Sequence, residues 1–269
     1  MPADDTSRRR RRRRRLLLLP VLAAAVLAAL PWAGRALLWR WEDNPLLRGE
    51  RLARKVGCLS CHRPEAGVEI PNPGSRWGTV PRFQAGNAMM YAESCADVEG
   101  FVRSGAPRAW LDDPEVRRRL ASQRLRMPAY EGRLGDDEIA DLVAYACAVE
   151  GLDLAGAGDP QVAAGRALAR RHGCLSCHGV EGAGGRPNPG SLGGFIPGFA
   201  GRNFDDLVRD RAEFAEWIRH GTSRRLARNP LIRYFWQRQA IAMPPYGDAL
   251  SDEEIDQLWA WVGAIRQRP

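Results

Sequence analysis

The chain has 269 residues, 45% hydrophobic and 27% charged, proportions that exclude a wholly disordered or wholly membrane-embedded protein and leave room for about two ordinary domains. Its formal net charge of +8 suggests a nucleic-acid binder until the charges are located. Eight arginines against two aspartates give residues 1–15 a charge of +6, which leaves +2 for residues 16–269, and a body so close to neutral has no electrostatic reason to track a phosphate backbone.

The first element is a basic cytoplasmic tail, residues 1–15, ending in an unbroken arginine run at 8–15. Residues 16–34 follow without a charge and are rich in Leu, Ala and Val; at about 1.5 Å per residue a helix of that length spans the hydrocarbon core of a bilayer. Cations ahead of an apolar span keep that end in the cytoplasm, and Trp32, Trp39 and Trp41 suit the opposite interface. Residues 16–41 are therefore expected to be a transmembrane anchor, with the rest of the chain on the periplasmic or other extracytoplasmic side. A cleaved secretory signal has the same order of parts, but Leu30-Pro31-Trp32 is a poor cleavage site, so retention is expected.

Beyond the anchor one unit is written twice. Cys58-Leu59-Ser60-Cys61-His62 recurs as Cys174-Leu175-Ser176-Cys177-His178, Pro71-Asn72-Pro73-Gly74-Ser75 as Pro187-Asn188-Pro189-Gly190-Ser191, and Met127-Pro128 as Met243-Pro244, all offset by 116 residues. Phe83 and Phe199, Gly105 and Gly221, and Tyr130 and Tyr246 keep that offset, so no insertion separates the copies. The expected domains are residues 43–152 and 159–269, joined by a Gly-rich linker at 153–158.

Within each copy the signals are helical. Asn44-Pro45 and Asp159-Pro160 pair a capping residue with a proline at the first helical position, and Gly57 and Gly173 stop those helices just before the cysteine motifs. Middle helices are predicted over 95–103 and 211–220, ended by Gly105 and Gly221. Last helices open at 135–138 and 251–254, with Ile139, Leu142, Val143 and Ala146, and Ile255, Leu258, Trp259 and Val262, at helical spacing. Long Gly/Pro loops occupy 63–86 and 179–201, and no run alternates well enough to predict a sheet. So much loop leaves little apolar core for about 110 residues and implies another source of cohesion, such as a buried prosthetic group.

The two C-x-x-C-H motifs carry the attachment signature of c-type haem. Two thiols three residues apart on one helical turn can form thioethers to two haem vinyls, and the next imidazole then meets the iron. Cys58, Cys61 and His62, and Cys174, Cys177 and His178, are thus the candidate residues for two covalently bound haem c groups. A zinc site would need two more ligands per motif, and only His172 and His220 remain among the four histidines. A redox dithiol would not call for histidine after both copies. For the sixth ligand the duplication singles out Met127 and Met243, each 65 residues after its histidine in a repeated M-P-x-Y. A lone methionine is usually core packing, but this context favours iron ligation, which raises the potential and leaves no open position for oxygen or peroxide. Electron transfer is favoured over catalysis.

Helix, C-L-S-C-H, Pro-rich loop, M-P-x-Y and terminal helix, in that order, resemble a class I cytochrome c domain in each copy. The resemblance implies an all-α fold of two tandem domains after the N-terminal transmembrane helix. It also implies a crossing of the first and last helices beside the haem, with Gly49 against Tyr145 and Gly165 against Trp261. A loop proline carbonyl holding the imidazole is implied as well, by position Pro73 and Pro189. Residues 106–126 and 222–242, ahead of each methionine, depart from the family pattern and could cover a haem edge or form a partner surface.

Cys95 and Cys147 occur in the first copy alone, opposite Arg211 and Gly263. A disulfide is the plain reading in an oxidising compartment and two buried thiols the next. A similarity to thiosulfate dehydrogenases, diheme cytochromes c with a cysteine ligand at the catalytic haem, implies a third in which Cys95 replaces Met127. His172 and His220 do not repeat and are expected in surface or loop hydrogen bonds. The tryptophans of the second copy, Trp217 and Trp236 among them, are read as packing, and the basic aromatic stretch 224–238 as a solvated helix face or a site for an acidic partner. The expected protein is a membrane-anchored diheme cytochrome that carries single electrons between a donor and an acceptor protein of a respiratory or photosynthetic chain. The alternatives are a catalytic diheme enzyme of sulfur or peroxide chemistry and a fixed haem subunit of a quinol-oxidising or oxygen-reducing complex.

Overall fold

The computed structural model describes residues 44–62, 69–83, 91–153, 158–247 and 249–267, with isolated residues 20 and 26. The expected tail and anchor otherwise lie outside these residues, and among the described residues no helix is long and apolar enough to cross a membrane.

Helix α1 (Pro45–Lys55) starts where the sequence implies: Asn44 caps it by accepting from the Leu47 amide at 2.9 Å, with Pro45 in the first turn. Gly57, at φ 86°, turns the chain directly into α2 (Cys58–Cys61), a left-handed conformation that favours glycine. Helix α3 (Cys95–Ser104) carries a Ser94/Asp97 capping box. Short helices α4 (Arg108–Asp112) and α5 (Pro114–Ser122) follow, and α6 (Asp136–Glu150) closes the first copy. The second copy runs α7 (Pro160–Arg171), α8 (Cys174–His178), a 3-10 turn (Val180–Gly182), β1 (Arg186–Pro187), β2 (Phe195–Ile196), α9 (Arg202–Leu207), α10 (Arg211–His220), α11 (Arg224–Ala227), α12 (Pro230–Trp236) and α13 (Asp252–Arg266).

Two features differ from expectation. Strands β1 and β2 pair antiparallel, although no sheet was predicted; two residues are too few to show a period of two. The stretches ahead of the methionines hold α4, α5, α11 and α12. Asp113 and Asn229 cap α5 and α12, each with a proline in the first turn, the same signal that marks α1.

The terminal helices of each copy cross at the expected glycines. A Cβ on Gly49 would lie 2.7 Å from the Tyr145 Cβ, and on Gly165 2.9 Å from the Trp261 Cβ, with the carbonyls of Asp141 and Gln257 nearer still. Only a missing side chain lets the backbones approach so closely. Ile139 and Leu142, and Ile255 and Leu258, are buried beneath these crossings, at about 1.5–3 kcal/mol each. Arg48 grips Asp141 with two hydrogen bonds of 2.7 and 2.8 Å across the first crossing. Cys95 and Cys147 form a disulfide that ties α3 to α6, with Cα atoms 5.8 Å apart. Where the second copy has Arg211 instead of Cys95, that arginine bonds Asp256 on α13 at 2.6 Å.

Candidate functional site

Each cysteine motif begins at a left-handed glycine, Gly57 or Gly173, and ends in its histidine. His62 Nδ1 lies 2.7 Å from the Pro81 carbonyl, and His178 Nδ1 2.9 Å from that of Pro197. A carbonyl only accepts, so each Nδ1 carries the proton and each Nε2 keeps a lone pair for a metal. Burial pushes both imidazoles below the usual histidine pKa, against the opposing effect of these hydrogen bonds, and so favours the neutral, ligating form. Each ring also has an aromatic backing. Phe83 stacks on His62 at 4.8 Å between centroids and meets Tyr145 edge-on; Phe199 stacks on His178 at 4.4 Å and meets Trp261 edge-on.

The proline assignment made by family position is therefore corrected. Pro81 and Pro197 hold the imidazoles, whereas the carbonyls of Pro73 and Pro189 accept from the amides of Arg124 and Ala240 at 3.0 and 2.8 Å. The bridge between Pro71 and Thr79 folds the intervening loop into a turn whose proline carbonyl reaches the segment before the methionine instead.

Asn72 and Asn188, given no role by sequence reasoning, are buried beside those prolines. Asn72 donates to the Leu125 carbonyl at 3.0 Å and accepts from the Leu125 amide at 2.8 Å; Asn188 makes the same pair of bonds to Ile241, both at 2.9 Å. Each asparagine thus fixes the backbone two residues before a methionine. The signal available was an asparagine flanked by prolines in both copies.

Met127 packs against the core that also receives Cys58, Phe83 and Tyr130, and Met243 against the core that contains Phe199 and receives Cys174 and Tyr246. The Met127 carbonyl would sit 2.6 Å from a Cβ on Gly105, and Met243 stands in the same relation to Gly221. The structure thereby gathers each motif's first cysteine and methionine around one core. Tyr130 and Tyr246 pack at the same cores as Cys58 and Cys174, and burial comes first among the causes that push both phenols up to about 12. Burial likewise raises the Cys58 and Cys174 thiols, while Cys61 is exposed and Cys177 half-buried.

The donor set fits a haem. Among the described residues no group of three or more His, Cys, Asp or Glu could hold a bare ion. In each copy a neutral imidazole follows two thiols on one helical turn, donors that would suit a haem's iron and its two vinyls. His172 borders the second site, its carbonyl accepting from the Tyr246 hydroxyl at 3.0 Å and its ring edge-on to Tyr246, and His220 is exposed at the end of α10. Trp217 donates to the Leu207 carbonyl at 3.1 Å and lies 6.0 Å from Trp236, a packing role as expected.

Residues 160–262 match the family model of cytochrome C oxidase, cbb3-type, subunit III. The match marks a cytochrome c domain there, which implies covalently bound haem c and electron transfer; it includes Cys174, Cys177, His178 and Met243. No curated protein matches the chain.

Proposed function

We propose that the protein is a membrane-anchored diheme c-type cytochrome that carries single electrons between a donor and an acceptor redox protein, with two tandem cytochrome c domains on the extracytoplasmic side. One observation carries this reading. The first copy, outside the family match, repeats the second copy's hydrogen bonds at an offset of 116 residues: histidine to proline carbonyl, asparagine to pre-methionine backbone, phenylalanine on imidazole. Chemistry assigned to residues 160–262 therefore extends to residues 43–152.

Bound haem supplies a one-electron iron couple. The protein's residues do the rest. Cys58 and Cys61, and Cys174 and Cys177, would hold the two groups as thioethers. His62 and His178 would offer Nε2 to the iron, held in the correct tautomer by Pro81 and Pro197. Met127 and Met243 would offer thioether sulfur, on backbone pinned by Asn72 and Asn188. The aromatics behind each imidazole, half-buried Phe83 with buried Tyr145 and buried Phe199 with Trp261, would limit water at the centre.

The disulfide weighs against the catalytic alternative, since Cys95 sulfur bonded to Cys147 is not a thiolate. A second reading, a fixed haem subunit of an oxygen-reducing complex, is favoured by the family description of residues 160–262. Purification in mild detergent tests both. The carrier reading expects two haem irons per chain and a sulfur-to-iron absorbance band that falls in both Met127→Ala and Met243→Ala. One iron per chain, or a band insensitive to either variant, overturns it. Stoichiometric copurification with an oxidase core selects the fixed-subunit reading.

A further inference from the structure

Directly behind His178 the second copy builds a joint around Glu181. Glu181, three residues on, is buried and holds φ 45°, the one non-glycine at positive φ among the described residues. Its carboxylate takes a 2.9 Å bond from Arg166 Nε and a 2.6 Å bond from Arg170 Nη2. Arg166, itself 12% exposed, turns its other arm to the first copy, where Nη2 donates to the carbonyls of Ala148 and Val149, both at 2.9 Å. Those carbonyls lie in the last turn of α6, whose orphaned acceptors and dipole favour a cation. Gly151, at φ 81°, ends α6 so close to Arg166 that a side chain there would collide with the guanidinium. The contact continues to either side: Asn44 Nδ2 donates to the Ala183 carbonyl at 3.1 Å, and Leu47 leaves room only for a glycine at 185.

Both ends of this joint lead to a histidine. On one side the Phe199 amide donates to the Gly182 carbonyl at 2.8 Å, the Gly184 amide to the His178 carbonyl at 2.6 Å, and the Phe199 ring covers His178. On the other, α6 carries Tyr145 one turn before its final carbonyls, edge-on to the Phe83 that covers His62. The joint is not a by-product of duplication. The first copy has Glu50 at the position of Arg166, and that glutamate pairs with Arg54 on its own helix. A buried ion pair beside a strained backbone is a poor route to stability and a good one to a unique geometry.

We propose that Arg166 is the joint that fixes the two histidine sites in one relation, holding the loop behind His178 against the helix that backs His62. Arg166 is a positioning residue: it sets the separation and orientation of the two centres, so that the pair passes electrons within the chain as one rigid unit. The proposal rests on the diheme reading.

The test uses the full-length holoprotein in detergent. Iron and haem are counted first; one centre per chain overturns the diheme reading and the joint with it. With two centres present, pulsed dipolar EPR between the ferric irons measures their distance distribution in wild type and in Arg166→Ala, Arg166→Lys and Glu181→Gln. The narrow wild-type distribution is expected to be lost in Arg166→Ala. It should also broaden in Arg166→Lys, whose single ammonium cannot reach the carboxylate and both carbonyls together, and in Glu181→Gln, which keeps the shape without the charge. Should Arg166→Ala fail to retain its haems, the two milder variants give the answer. A distribution as narrow as wild type in every haem-replete variant overturns the joint, even where melting temperature falls.

Discussion

Replacing Cys95 and Cys147 together by alanine separates the roles proposed for the first copy's unpaired cysteines. The bridge spans 52 residues of sequence, and loop-closure entropy for that span predicts about 4 kcal/mol of lost stability. At a urea dependence of roughly 2 kcal/mol per molar, the midpoint for the first copy should fall by about 2 M. The assay is urea unfolding of the oxidised holoprotein in non-reducing buffer, followed by haem absorbance, with the ferric spectrum recorded before denaturant is added. The expected result is a first unfolding step at much lower urea and an unchanged native spectrum. An unchanged midpoint refutes the bridge as the staple of the first copy. A native spectrum that shifts refutes the deeper point, since it would mean that Cys95 had been serving as an iron ligand.

Gly165→Ala puts a methyl group into the Gln257 carbonyl and beside Trp261, and should cost about 1–3 kcal/mol in thermal or chemical melts; Gly49→Ala should do the same at the first crossing, and neutral effects at both would deny the close approach of the helices. Asn188→Ala removes two part-buried hydrogen bonds to Ile241, a loss of about 2 kcal/mol; the sulfur-to-iron band should weaken at constant iron content, and a full-strength band would show that the methionine backbone needs no such pin.

The parts of the site that were legible in sequence are those whose chemistry is written in side chains. Two thiols and an imidazole at fixed spacing point to their chemistry without help from the rest of the chain, and Asn44-Pro45 or Asp159-Pro160 announce a helix start by local physics alone. Pro81 and Pro197 were missed because they act through main-chain carbonyls, which every residue possesses; which carbonyl reaches the imidazole depends on the path of the loop. Asn72 and Asn188 left a trace, the repeated P-N-P-G-S, but their partners lie 53 residues away and no local pattern names them. Helix α5 was readable and overlooked, since Asp113-Pro114 carries the same cap as α1; α12 falls in the stretch 224–238 read as a helix face, and Asn229-Pro230 marks its start.

The two copies agree at the histidine and differ in how they are held together, and the difference has a physical reason. Where the second copy packs Phe214 and Trp261 into its core, the first has Val98 and Tyr145 at the same positions. Smaller side chains bury less apolar surface, and a unit of about 110 residues with long loops has little to spare. The second copy ties its middle helix to its last with Arg211 to Asp256, an exposed pair of the kind that contributes about 0–1 kcal/mol, which its larger core makes sufficient. The first copy uses Cys95 and Cys147 for the same connection, and the roughly 4 kcal/mol expected of that bridge is of the size needed to offset a Phe-to-Val deficit at one core position. On this argument the cysteines are absent from the second copy because its aromatic core makes them unnecessary, and the double alanine variant should unfold its first copy while the second still holds its haem.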